Sequence, residues 1–201
     1  FKMSFFESSS RVPLMISSTM LKPKLVAEPV STIDVCSTLC DLAGCDMDEV
    51  AGWTEGESLL PLANGSIRTN AVLMEYAAEA SYAPLISIRK GPLKYNRCDI
   101  DPEQLFDLES DPNELHNLAS SQNFSEELAE FQRISEARWD LASFDEEVRK
   151  SQAQRRIVYE SLRNGEYYPW DFQPLKKASE RFMRNHMDLN EVEERQRSPR
   201  E

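Results

Sequence analysis

The apolar positions of this chain change period as they run, and each change marks a predicted element. Val12, Leu14 and Ile16 alternate with polar neighbours, so Arg11 to Ser17 is predicted as a strand; Pro13 places it at an edge or near a strand start. Met20 to Pro29 has no period and reads as a loop. From Ser31 the spacing becomes helical: Ile33, Cys36, Leu39, Cys40 and Ala43 share a stripe, Ser31 or Thr32 can cap it, and Gly44 stands where a left-handed cap belongs.

Asn70 to Tyr76 is a short apolar run between polar residues, predicted as a buried strand, with Glu75, Tyr76 and Glu79 leading from it into a loop that ends near Pro84. Leu85 to Tyr95 reads as a hairpin turning at Lys90-Gly91-Pro92, and Gln104 to Leu108 as a further strand. Asn123 to Leu141 reads as an amphipathic helix, with Asn123 and Glu126 in a capping-box spacing and Phe124, Leu128, Phe131, Ile134, Ala137 and Leu141 on one stripe. A second helix, from about Asp145 to Asn164, has a thin stripe of Val148, Val158 and Leu162 and stops at Gly165. The aromatics of Tyr167-Tyr168-Pro169-Trp170-Asp171-Phe172 follow neither period, which calls for burial in this chain or against a partner. A charged tail then runs to Glu201.

Composition narrows the partners. With 29% charged residues and a net charge of -12, nucleic acid and anionic membranes are unfavourable partners, and no apolar run is long enough to span a bilayer. A cationic substrate is compatible with that balance. Cys36 and Cys40 share a helix face in a geometry that suits a disulfide poorly. With Cys45, Cys98, His116 and His186 they give no zinc spacing, so reduced thiols in a reducing, cytoplasmic compartment are expected. His116 reads as a surface residue. Lys2, amid Phe1, Met3, Phe5 and Phe6, has two readings: an amine carried to water along a buried stem, or a cation at the rim of an anion-binding cleft.

Longer motifs add a resemblance. Phe1-Lys2-Met3-Ser4-Phe5-Phe6-Glu7 followed by Arg11-Val12-Pro13-Leu14 resembles a segment of the sulfatases of the alkaline phosphatase superfamily, with Glu7-Ser8-Ser9-Ser10 departing mildly from the usual turn. Val30-Ser31-Thr32-Ile33-Asp34 with Leu42-Ala43-Gly44, the turn Glu57-Ser58-Leu59-Leu60-Pro61-Leu62, and Leu105-Phe106-Asp107-Leu108 with Asp111-Pro112-Asn113-Glu114 and Asn117-Leu118 are similar to later sulfatase segments. The last motif implies a strand, a Pro-fixed turn and a carboxylate-capped short helix. Glu75-Tyr76 with Glu79, and Trp170-Asp171-Phe172-Gln173-Pro174 followed by Met183-Arg184-Asn185-His186 and Asp188-Leu189, resemble the choline-sulfatase branch.

The resemblance implies an α/β fold, α+β over this stretch. Residues 1–62 would be the end of an alkaline-phosphatase-like domain and 63–165 a sulfatase C-terminal subdomain with a small antiparallel sheet and packing helices. Residues 166–201 would be an extended C-terminal tail that makes an oligomer contact. It further implies that Lys2 faces the sulfate, that Glu79 lies by the trimethylammonium of choline-O-sulfate, and that Asp188 reaches a neighbouring protomer's pocket in a homo-oligomer. None of the four cysteines stands in a Cys-x-Pro-x-Arg context, and no oxygen-ligand cluster is evident. The formylglycine nucleophile and divalent cation (calcium) of the family are thus expected outside this chain, which alone is not catalytic. A phosphonate monoester or phosphodiester hydrolase of the same superfamily, or a non-catalytic oligomerisation module, are the alternative readings.

Overall fold

Four alternating segments between residues 72 and 107 pair in sequence order into one antiparallel meander: β1 (Val72–Tyr76), β2 (Leu85–Lys90), β3 (Leu93–Cys98) and β4 (Asp101–Asp107). The computed structural model describes residues 3–19, 21–78 and 81–165. The chain divides into two compact units, residues 1–146 and 147–201. The sheet and the helices around it give the α+β architecture expected for this stretch. Gly91, at φ 54°, supplies the left-handed turn between β2 and β3.

Register sorts the side chains onto two faces. Leu73, Ile88, Tyr95 and Leu105 lie opposite one another across the strands, and the next row contains Val72, Arg89, Lys94 and Phe106. The first face is covered by the helix α5 (Ser125–Arg138): Ile88, Tyr95, Leu105 and Phe131 form the core, with Leu73, Leu128 and Ile134 around it. Tyr95 and Phe131 stack with centroids 5.7 Å apart. Polar pins ring this contact, among them the ion pair of Lys90 and Glu130, Gln132 Nε2 donating to Glu103 Oε2 at 2.7 Å, and Trp139 Nε1 donating to Glu75 Oε1 at 2.6 Å. Burial, and then its bond to Glu103, push the Tyr95 phenol up from its ordinary value.

The N-terminal segment lies against the second face. Phe5 is buried, the Phe6 and Phe106 rings sit 6.1 Å apart, and the short helix α1 (Glu7–Ser10) follows. Arg11 to Ser17 departs from expectation: it forms no strand, and Val12, Leu14 and Met15 are exposed. Alternation alone does not make a strand; a partner strand must accept its N–H and C=O groups, and none of β1–β4 pairs with this segment.

The helix α2 (Asp34–Leu42) forms where predicted and ends at Gly44, φ 75°. Its faces are the reverse of the expected arrangement. Asp34, Ser37 and Thr38 are buried, whereas Ile33, Val35, Leu39 and Leu42 are exposed. The buried side binds the loop before α4 (Leu60–Ala63): Ser37 Oγ donates to the Gly56 carbonyl at 2.7 Å, and Thr38 Oγ1 accepts from the Leu59 N–H at 2.9 Å. Asp34 accepts from the Ser31 and Glu57 N–H groups and pairs with Arg68 at 2.6 Å. Neither Ser31 nor Thr32 caps the helix through its side chain; the Asp34 carboxylate reaches back to the Ser31 N–H instead. Gly56 is required here, since a Cβ would stand 2.3 Å from the Ile33 carbonyl oxygen. Between α2 and α4 lies α3 (Met47–Ala51), capped by Asp46.

At the far end, α5 begins after a 3-10 turn at Gln122–Phe124 and has no side-chain cap, so the Asn123 box is not made. The long helix breaks at Trp139-Asp140, and α6 (Leu141–Arg163) starts earlier than its apolar stripe suggests. Asp140 sets that start by accepting from the Ala142 and Ser143 N–H groups and the Ser143 hydroxyl. In the second unit the described residues continue α6 with Ile157, Val158 and Leu162 exposed.

Candidate functional site

The three residues singled out from the sequence, Lys2, Glu79 and Asp188, lie outside the described residues, as does the tail from residue 166 onward. The structure does describe what flanks the first two. Glu75 and Tyr76 are the last residues of β1 rather than part of the loop beyond it, and the Trp139 indole holds the Glu75 carboxylate. Next to Lys2, Met3 takes φ 78°, a left-handed conformation unusual for a residue with a side chain. Two residues beyond Met3, Phe5 to Glu7 are fastened from below.

The fastening is a charged cluster that sequence reasoning did not find. Lys94, on β3, is fully buried; a Lys there demands partners. Its Nζ donates to the Phe5 carbonyl at 2.6 Å and to Glu7 Oε1 at 3.1 Å, and it pairs with Glu114 Oε1. Glu114 in turn accepts the Glu7 N–H at 2.5 Å, placing a carboxylate at the first free N–H of α1. Arg89, next to Lys94 across the strands, lies within electrostatic reach of both carboxylates. Burial pulls the Arg89 guanidinium down from its ordinary value, and Glu7 and Glu114 oppose that. The sequence held only separate hints: Lys94 falls on an inward position of a strand, and Glu7 and Glu114 belong to two of the sulfatase-like motifs.

Glu114 also corrects the predicted motif geometry. The stretch after Asp111-Pro112 is a succession of turns rather than a carboxylate-capped helix. Glu114 itself sits at φ 56° and turns inward to Lys94. Asp111 caps the turn by accepting the His116 N–H at 2.8 Å. Burial alone would raise the Asp111 carboxyl, but the bonds from the His116 and Leu115 backbone outweigh it and hold the group below its ordinary range. His116 is exposed, as expected, with Asp111 beside its ring.

Among the described residues no group of three or more His, Cys, Asp or Glu could hold a metal ion, and no helix is long and apolar enough to cross a membrane. Cys36, Cys40, Cys45 and Cys98 are free thiols. Among the described residues the region thus shows the buried cluster of Lys94, Glu7 and Glu114 that supports Phe5 to Glu7, without a metal centre.

Comparison with known proteins agrees with the motifs. The family described as "N-sulphoglucosamine sulphohydrolase, C-terminal" matches residues 1–139, and "Choline sulfatase enzyme C terminal" matches residues 146–197. The choline-sulfatase of Rhizobium meliloti is 58% identical over the whole of this chain, which spans 40% of that protein's length. Arylsulfatase K of Danio rerio is 44% identical over 31% of this chain and 12% of its own. A solved 2-O GAG sulfatase superposes on 62% of this chain and 26% of its own with a TM-score of 0.42 at 30% identity. With its first 139 residues matching one sulfohydrolase family along most of the chain, this protein belongs to the sulfatase C-terminal family.

Proposed function

We propose that this chain forms the C-terminal part of a choline sulfatase, which hydrolyses choline-O-sulfate to choline and sulfate. The observation that carries the reading is the 58% identity to a choline-sulfatase from one end of the chain to the other. On this reading Lys2 meets the sulfate, where a compact ammonium stabilises the charge that develops as the ester bond breaks. Glu79 faces the trimethylammonium end, a cation without hydrogen-bond donors that is recognised by charge and apolar enclosure. Asp188, delivered by the C-terminal extension of a neighbouring protomer, adds a second carboxylate there.

Residues 1–62 would belong to a larger α/β domain completed elsewhere in the polypeptide. The exposed apolar stripe of α2 and the exposed Val12, Leu14, Met15 and Ile16 support that assignment. The exposed Ile157, Val158 and Leu162 of α6 support a homo-oligomer joined through the C-terminal region. Four free thiols support a reducing, cytoplasmic setting. The described residues do not fit the family's divalent cation (calcium), and no cysteine here has the formylglycine context, so both would come from the rest of the enzyme.

The test is release of choline and sulfate by the full-length polypeptide. Lys2→Ala is expected to lower kcat on choline-O-sulfate by about 100-fold or more, the scale of removing one charge-stabilising donor. Glu79→Gln is expected to act mainly on KM. A wild-type enzyme that handles choline-O-sulfate no better than an aryl sulfate lacking the ammonium would sink the proposal.

A further inference from the structure

We infer that Lys94, Glu7 and Glu114 are positioning residues that hold Lys2 in its working place, an inference that rests on the reading of Lys2 as the sulfate-facing cation. The cluster addresses the main chain at two points just beyond Lys2. Lys94 Nζ donates to the Phe5 carbonyl at 2.6 Å, and Glu114 accepts from the Glu7 N–H at 2.5 Å. Contacts to a carbonyl and an N–H fix the direction of the backbone as well as its location, which apolar packing does not do.

A structural plug alone would not need such a device. Replacing a buried ion pair by well-packed apolar residues is often neutral or stabilising, so its stability is a weak reason for its presence. The second observation is strain. Met3 and Glu114 both occupy left-handed backbone, one beside Lys2 and one at the other end of the clamp. A strained Met3 directly after Lys2 persists only if the following residues are held, and Phe5 to Glu7 are. The backbone from Met3 to Glu7 is therefore held on an imposed path directly after Lys2. A misplacement of about 1 Å is enough to reduce a reaction by roughly 100-fold.

The experiment compares wild type, Glu114→Gln, Glu7→Gln, Lys2→Ala and the double variants in the full-length enzyme, each confirmed folded by its melting curve. Both choline-O-sulfate and an uncharged aryl sulfate are assayed. Glu114→Gln is expected to lower kcat by about 10- to 100-fold on both substrates while KM moves by less than about 3-fold, because the sulfate end is shared. On the Lys2→Ala background it is expected to add less than about 3-fold, since it acts through Lys2. If Glu114→Gln does not fold, Glu7→Gln gives the same pattern with a smaller loss, because Glu7 lies nearer the surface and keeps its N–H on Glu114. An unchanged kcat, or losses that multiply in the double variants, overturns the positioning role. Lys2→Ala with full activity overturns the underlying reading and the inference with it; impaired Lys2→Ala with multiplying losses overturns the inference alone.

Discussion

The two faces of the sheet are buried by different means. Against α5 the contact is Ile88, Tyr95, Leu105 and Phe131, with the ion pair of Lys90 and Glu130 at its margin and a buried hydroxyl, Ser135, accepting from Arg97. Against the N-terminal segment, the buried centre is Lys94 with two carboxylates and a backbone carbonyl, and Ser87 and Asn96 are buried nearby. Apolar burial scales with area and has no preferred direction, so many shapes satisfy it. A buried charge is satisfied only by particular atoms in particular places. One face holds the domain together; the other also dictates where a neighbouring strand of backbone must run.

The contrast is sharpest when each face loses its centre. Phe131→Ala and Lys94→Ala are each expected to cost about 3–5 kcal/mol in urea unfolding, the first through a cavity and the second by leaving Glu114 without its cation. Conservative changes should then separate them. Ile88→Leu is expected to cost less than about 1.5 kcal/mol, whereas Lys94→Met should lose nearly as much as Lys94→Ala. Equal costs for Ile88→Leu and Lys94→Met would erase the distinction.

Removing the charge from both sides sharpens it further. Lys94→Met with Glu114→Leu is expected to regain about 1–4 kcal/mol over Lys94→Met alone, seen as a recovered unfolding midpoint. Turnover of the full-length enzyme should stay low, because the Phe5 carbonyl and Glu7 N–H are no longer addressed. Recovery of both would reduce the clamp to a plug.

Smaller effects come from sites away from the sheet. Gly56→Ala is expected to cost about 1–3 kcal/mol, because its Cβ would press on the Ile33 carbonyl and loosen α2 from the Gly56 to Leu59 loop. Asp140→Ala should give the smallest shift in melting temperature, and its pH dependence is the useful readout. The Ser143 hydroxyl, then the Ser143 N–H, hold the Asp140 carboxyl below its ordinary range. A lowered folded-state pKa contributes stability that is present above about pH 3.9, the unfolded value, and is lost as pH falls further. The difference between wild type and Asp140→Ala should therefore be full near neutrality and shrink in acid; a difference that grows in acid would contradict the cap.

What the sequence disclosed follows the same division. Strands β1 to β4 and helix α5 were legible because alternation and helical period report apolar burial, and Gly91 marks its own turn. The polar contacts were not. Period assigned α2 its apolar stripe as the buried face, yet in this chain Asp34, Ser37 and Thr38 are inside, serving the loop at Gly56 to Leu59. Arg11 to Ser17 alternates like a strand but pairs with none of β1 to β4, and pairing depends on where the segment lies against the sheet, not on the segment's own pattern. Lys94 meets Glu7 across 87 residues, a separation at which no local pattern connects them. Lys2 stood out as a charge among apolar neighbours with two readings open, and the substrate roles expected of Lys2, Glu79 and Asp188 came from motif resemblance, because contact with a ligand leaves no periodic trace.

The same separation has a consequence for the order in which the molecule assembles. The meander closes through short turns, and short loops lose little entropy on closing, so the sheet is an early event. Glu7 leaves the ribosome 107 residues ahead of Glu114, the group that receives its N–H. Throughout that interval the N-terminal segment has no finished place to go. Pulse-labelling hydrogen exchange during refolding should show β2 and β3 amides protected before that of Glu7; simultaneous protection would mean that the segment is recruited while the sheet is still forming.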